Sequence, residues 1–392
     1  MADPADNHWR ISADGETRTS LISPPYPVVR SVGNDNLPFR SDTNPTSELP
    51  WFQLVDGEFP PEQSEHYFPG ELISVDHLER KFVVRNDRSD TQNRSHWDLP
   101  VAASMLPYGS IFYCGSPAAL EDIPLGTHLH GWFYRKSPED RTPPIEGWHN
   151  RKSYEVDFTR CIRLEDDFSY HVRRNRLWRI DAVELGQSKL TVSLLDGATT
   201  SKNTRVFDLL ASTRVWLGRT WTTLDSLKSG QTVLFNYTWA TLYGPGRITE
   251  IWIDEASRAA ASSFQLAKHQ MHVRQRGVPG WVDAVDNQQR FVTITFFDNV
   301  DPRLLSDFQI GDQAGVAVAE SSLSTHDPVN DRKKGPILEV IRAAQKPGCS
   351  GVSIRVQPDL LLEGFRPRRI VRVFPSAWPV IALPREHELF GR

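Results

Sequence analysis

One spacing recurs four times in this chain and limits what it can fold into: L-x-x-Φ-x-x-G, where Φ is a large apolar residue. Leu120, Ile123 and Gly126 form the first copy, Leu224, Leu227 and Gly230 the second, and Leu305, Phe308 and Gly311 the third. In a fourth, Leu362 and Phe365 keep their places and Arg368 stands where the glycine is expected. Small or apolar residues follow three and five positions on: Leu129 and Gly131, Val233 and Phe235, Ala314 and Val316, Val371 and Val373. Alternation at period two puts each pair on one face of a strand, the face turned to the core. The glycine fits a turn that needs positive φ. A motif recurring in this way signals one supersecondary unit used several times.

Two further elements recur around it. Upstream of the first three copies, "GELISVDHLERKFVVR" (70–85), "LWRIDAVELGQSKLTVSL" (177–194) and "GWVDAVDNQQRFVTITFF" (280–297) each hold two alternating apolar runs about a polar turn, which predicts a hairpin. Asp76, Asp181 and Asp283 fall near these turns and are expected to serve as turn residues. Two closing segments run from a short strand into a helix-like stretch, the clearer helix spanning about Glu255 to Gln275 before Gly277. Hairpin, middle strand, turn, strand and closing strand add up to a five-stranded antiparallel barrel.

The chain is therefore expected to be all-β, with three or four tandem OB-like or SH3-like small antiparallel barrels and short helical connectors. An extended arm should cover residues 1–55, a first barrel 56–163, a connector with a second barrel 164–254, a connector helix 255–276 and a third unit 277–392. Only 26 positions run from Val285 to Gly311, against 51 from Val75 to Gly126 and 47 from Val183 to Gly230. The third unit is thus short of a strand and is expected to fuse with the fourth repeat into one compound barrel. In its spacing of hairpin and turn the chain resembles small OB-like β-barrel domains of unknown function found in tandem in bacterial envelope proteins. That resemblance covers about 60 residues per unit, implies the fold, and carries no known active site.

Composition removes several function classes. Net charge is −4 over 392 residues, so no global basic field advertises nucleic acid or an anionic membrane. Of 45 basic residues only ten are lysine. Guanidinium suits planar and stacked contacts, although genomic composition produces the same excess. Cys114, Cys161 and Cys349 match neither a zinc pattern nor a disulfide framework, one disulfide plus a free thiol staying open. No stretch reaches the roughly 18 apolar residues of a membrane helix. The first twenty residues lack the apolar core of a signal peptide. A start codon placed on a processed chain would fit the bacterial envelope or periplasm, and a native start the cytoplasm.

Candidate chemistry is sparse. His128 and His130 share one face of a strand, the geometry of an H-x-H metal pair, on the side away from the core. The competing expectation is an exposed or interfacial pair without a metal. Asp166-Asp167 and Asp254-Glu255 sit where strands enter helices and are expected to cap them. His269 and His272 are expected on a solvated helix face. Phosphate-loop, nucleophile-elbow and dinucleotide motifs are absent, so nothing nominates an enzyme, and no cofactor is expected. Arginine and aromatic residues cluster in three places: Arg173, Arg174, Arg176 and Trp178; Arg274 and Arg276; and Arg368, Arg372 and Trp378. Such a mix binds single strands on OB-like surfaces. The favoured reading is a non-catalytic binding or scaffold protein with a protein partner. The alternatives are single-stranded nucleic-acid binding, and an enzyme or metal-binding protein with a site peculiar to one barrel.

Overall fold

The computed structural model describes residues 54–381 apart from 56, 63, 88–99, 135–159, 198, 239–245 and 326–330, together with the backbone of 9–11 and 18–20. Those last two segments are strands β1 (Trp9–Ile11) and β2 (Arg18–Ser20), paired antiparallel. The rest of the arm expected over 1–55 lies almost wholly outside the described residues.

Barrel one contains β3 (His66–Asp76), β4 (Lys81–Asn86), β5 (Val101–Tyr113), β6 (Ser116–Pro117), β7 (His128–Tyr134) and β8 (Arg160–Asp166). Antiparallel ladders join β4 to β3, β3 to β7, β7 to β8 and β4 to β5. The barrel closes where β8 runs parallel to β5. Barrel two repeats this order with β9 (Arg176–Glu184), β10 (Lys189–Asp196), β11 (Thr199–Leu217), β12 (Thr220–Thr222), β13 (Thr232–Tyr237) and β14 (Arg247–Trp252). Its parallel seam joins β11 and β14. Both barrels are thus antiparallel except at one seam, which the alternation of apolar residues does not encode.

Barrel three is a closed ring of six strands in the order β15-β16-β19-β18-β17-β20, all antiparallel. These are β15 (Val278–Asp286), β16 (Phe291–Phe297), β17 (Gln313–Val318), β18 (Lys333–Arg342), β19 (Cys349–Val356) and β20 (Ile370–Pro375). It is built from two halves, each a hairpin, a turn and one strand: β15, β16 and β17, then β18, β19 and β20. The third and fourth repeats supply one half each.

The repeated turn has one structural task in all four copies. Its glycine N–H donates to the carbonyl of a residue on the first hairpin strand, and that residue's N–H donates back to the turn. The pairs are Gly126 with Leu72 at 2.8 Å, Gly230 with Ile180 at 2.8 Å, Gly311 with Ile337 at 2.8 Å and Arg368 with Val282 at 2.8 Å. In barrels one and two the turn docks on its own hairpin. In barrel three the halves exchange: the turn after β16 docks on β18, and the turn after β19 docks on β15. The glycines have φ of +87°, +88° and +90°, and Arg368 holds the same region at +70°. Each docked residue is followed by a register shift, at Ile73, Asp181, Asp283 and Leu338. A bulge there bends the strand and increases its twist, which a small barrel needs in order to close.

These bulges correct the reading of the recurring aspartates. Only Asp76 serves its turn, accepting from the Glu79 N–H. Asp181 and Asp283 sit at bulges and accept from hydroxyls of the paired strand, Ser193 and Thr295.

Two helices join the barrels. In α1 (Asp167–Val172) the Asp166 side chain accepts from the Ser169 N–H as N-cap. In α2 (Glu255–Arg276) Asp254 and Ser257 form a capping box, and Gly277 follows the last turn with φ of +83°. Each barrel has its own apolar core, with Phe68, Leu72 and Phe133 in the first, Ile180, Val192 and Phe235 in the second, and Ile294, Phe308 and Val371 in the third. The barrels do not form an open string. Tyr67, Tyr108 and Trp132 of barrel one pack with Trp281, Phe297 and Ile370 of barrel three. Cys114 and Phe168 pack with Leu234 and Trp252 of barrel two. All three cysteines are free and buried. No described helix is long and apolar enough to cross a membrane.

An alanine Cβ at Gly230 would meet no atom within 4 Å, so substitution there isolates the backbone term. Gly230→Ala should lower stability by about 1–2 kcal/mol, the cost of left-handed backbone for an L-residue. Denaturant unfolding followed by tryptophan fluorescence reads this directly.

Candidate functional site

The outward face of β7 carries His128 and His130, as period-two spacing requires, but it is not open to solvent. Both side chains have no exposed surface. β8 turns directly into α1 beside them, and the junction Glu165-Asp166-Asp167 aims its three carboxylates in three directions. Glu165 takes Arg173 at 3.0 Å and Arg174 at 2.8 Å. Asp166 caps α1 and also accepts from Asn236 Nδ2 of β13 at 2.8 Å. Asp167 was expected to cap as well; instead its Oδ1 meets His128 Nδ1 at 2.8 Å and His130 Nε2 at 3.0 Å.

The chain of contacts continues at both ends. His128 Nε2 reaches Asp87 Oδ2 at 2.9 Å, and the Tyr67 hydroxyl lies 2.6 Å from His130 Nδ1. Tyr237 of barrel two stacks on His128 at 4.5 Å, and Tyr170 of α1 stacks on His130 at 3.6 Å. Arg174 covers the Tyr170 ring at 3.8 Å. The cluster therefore ties barrel one, α1 and barrel two together.

Protonation follows from this geometry. Burial opposes charge on His128, yet the flanking Asp87 and Asp167 carboxylates outweigh it and raise its pKa to about 10. His128 is thus an imidazolium donating from both nitrogens. Burial pushes His130 down to about 4 against the pull of Asp167. It is neutral, donating from Nε2 to Asp167 and accepting at Nδ1 from Tyr67, whose hydroxyl burial keeps protonated. Burial alone would raise Asp167, but His128 and the two imidazole bonds hold it at about 2. All four ring nitrogens are engaged, so the cluster offers no idle base. Its donors could instead hold a divalent metal: the ligand atoms of His128, His130 and Asp167 lie within 4.8 Å of one another. A metal there would displace the two protons now directed at Asp167 Oδ1. Barrel two has Thr232 and Leu234 at the matching positions, so this chemistry is confined to barrel one.

The arginine and tryptophan candidates do not assemble into one surface. Arg173 and Arg174 are held by Glu165, and Arg176 is buried and bound to Asp196 at 2.7 Å. Trp178 lies in the core of barrel two, and Trp378 lies in barrel three with its Nε1 donating to Asp307 at 2.8 Å. Neither ring is offered to a base. Arg274 and Arg368 are exposed on separate elements. Arg372, read from parity as outward, is buried and converges with Arg276 in a cleft against barrel one. Arg372 is reversed because the outer face of β20 is covered by barrel one and the end of α2, which periodicity cannot foresee.

A second cleft, of about 620 Å3, lies between barrel two, barrel one and the N-terminal half of α2. Tyr113, Trp216, Trp252 and Phe264 line it, with Arg219 and Lys268 among its polar groups. Phe264, at 74% exposed, is the open end of this lining. The sequence carried a signal for it: Phe264, Lys268 and Met271 occupy one helix face at i, i+4 and i+7, a face with no packing role. No protein-family model, curated protein or solved structure matches the chain.

Stability should peak near neutral pH, with a sign that the two histidines fix. Above pH 6.5 an unfolded His128 sheds its proton while the folded one keeps it to about 10, so stability falls across that window. Below 6.5 an unfolded His130 takes a proton that the folded one refuses until about 4, so stability falls on that side too. Denaturant unfolding from pH 4 to 10 should show both limbs, and His128→Gln should lack the alkaline one. Asp167→Asn leaves the imidazolium paired with Asp87 alone and takes a carboxylate acceptor from two buried imidazole N–H groups, so it should cost about 1–3 kcal/mol at pH 7.

Proposed function

We propose that the chain is a non-catalytic three-barrel binding scaffold that takes an extended segment of a protein partner in the cleft beside α2. The cleft itself carries this reading. Its volume of about 620 Å3 falls within the range of ligand sites, and its exposed walls are mostly apolar, with polar side chains set among them. Those polar groups are mostly engaged already. Asp122 holds Lys268 at 2.6 Å and Gln265 at 2.8 Å, and Glu250 holds Arg214 at 3.3 Å. That leaves no acid–base pair poised for catalysis. Arg219 is the cation at the rim with no ion pair among the described residues. The occupant is therefore a peptide with an aromatic or aliphatic anchor for the Trp216, Trp252 and Phe264 walls and a nearby carboxylate for Arg219. The nucleic-acid alternative lacks a connected basic track, since Arg173, Arg174 and Arg176 are neutralised within the fold.

Selection from a random peptide library on the purified protein tests this. Enriched peptides should share an apolar anchor with an adjacent acid, and their binding should fall at least about tenfold in Phe264→Asp. No enrichment, or equal binding by the variant, overturns the proposal. A salt-sensitive shift with single-stranded oligonucleotides would put the nucleic-acid reading in its place.

A second reading rests on the convergence of His128, His130 and Asp167, which are also a two-histidine, one-carboxylate donor set. Elemental analysis decides it. Near one equivalent of metal in the wild type, and none in His128→Ala with His130→Ala, establishes a metal centre. None in either leaves the cluster as the hydrogen-bonded joint described above.

A further inference from the structure

The C-terminal half of α2 walls another cleft, where barrel one, α2 and barrel three meet. It holds about 80 Å3 and is lined by Arg80, Arg276, Arg372, His272 and Glu121 among others. Three guanidinium groups from three different elements border it: Arg80 from the β3–β4 turn, Arg276 from the last turn of α2, and Arg372 from β20.

Arg372 is 6% exposed. Its Nε donates to the Leu323 carbonyl at 2.7 Å and its Nη1 to the Gly277 carbonyl at 2.9 Å. No carboxylate lies within ion-pair distance of it among the described residues. Arg80 is in the same condition: it donates to the carbonyls of Leu106, Pro107 and Gly109 at 2.9–3.1 Å and has no ion pair. Carbonyl dipoles, including those at the C-terminal end of α2, solvate a guanidinium but carry no net charge to cancel it. The one acid in the lining, Glu121, is also bound to His272 at 3.2 Å. His272 and His269 carry no negative charge in either form, and burial pushes both imidazoles toward the neutral one. Burial and the proximity of Arg276 and Arg80 also bring Arg372 well below the ordinary guanidinium range. Buried charges in folded proteins are paired, and leaving one unpaired is strongly unfavourable.

We propose that this cleft binds a compact oxyanion, a phosphate, sulfate or carboxylate group, either as a free ion or carried on a larger molecule. The planar donors of Arg276 and Arg372 suit two-pronged contacts to such a group. The volume admits a few waters or one small anion, which limits the ligand portion inside to the anionic group itself. This site is independent of the aromatic cleft and lies at the opposite end of α2.

Calorimetry of the full chain at low ionic strength tests it, with sodium phosphate, sodium sulfate and sodium acetate as free ions. Phenyl phosphate represents an anion on a larger group, and sodium chloride at matched ionic strength is the control. Saturable binding of at least one oxyanion beyond the chloride control is expected. Tighter binding of phenyl phosphate than of phosphate assigns the site to a carried group, and equal or weaker binding assigns it to the free ion. Arg276→Gln, a half-buried helix-end position, should weaken binding at least about tenfold, the worth of a charged hydrogen bond. Arg372→Met should abolish it wherever circular dichroism shows the variant folded. Absence of binding beyond chloride, or unchanged affinity in Arg276→Gln, overturns the proposal.

Discussion

Two backbone hydrogen bonds hold each repeat of this protein in register: one from the turn to a docked strand residue, the other back again. The donor at Gly126, Gly230, Gly311 or Arg368 needs left-handed backbone to point at Leu72, Ile180, Ile337 or Val282. Once docked, the turn delivers its apolar residues, such as Ile123, Leu227 and Phe308, into the barrel interior. It also fixes where the next strand starts. The bulge one residue past the docking point supplies the bend that returns the sheet on itself. Register, core composition and curvature thus depend on the same contact.

That contact is why so much of the fold was legible. The spacing of leucine, apolar residue and glycine is local and strict, because a one-residue slip would move every side chain of the following strand to the wrong face. The same alternation correctly set His128 and His130 opposite Leu129. What it could not reveal is what lies against the outer face. Tyr237 on His128, Trp281 against Tyr108 and the burial of Arg372 are contacts between units far apart in sequence. Asp166 and Asp167 show the finest limit. One residue apart at a helix start, they have equal capping propensity, and only the third dimension gives one to an amide and the other to two imidazoles.

Helix α2 is more than a connector. Its capping box starts it against barrel two, and Arg372 binds the carbonyl of Gly277 just past its end in barrel three. Between these points it contacts barrel one, with Ser262 donating to the Cys114 carbonyl and Gln265 to Asp122. One rigid rod thus borders two clefts of opposite character, an aromatic one along Ser257–Lys268 and a cationic one along His269–Arg276. The composition of the helix shifts along its length to match, from alanine and serine to histidine and arginine.

The exchanged turns of barrel three have a consequence for synthesis. Barrels one and two each contain their own docking partners, so each can close as it leaves the ribosome. The first half of barrel three has no strand to receive its turn until Ile337 arrives, and β15 stays unclasped until Arg368 does. For the time needed to make the intervening residues, that half presents unpaired strand edges, and the barrel closes only once β20 has been made. The same exchange makes the two halves mutually dependent parts, so neither would be a stable fragment alone.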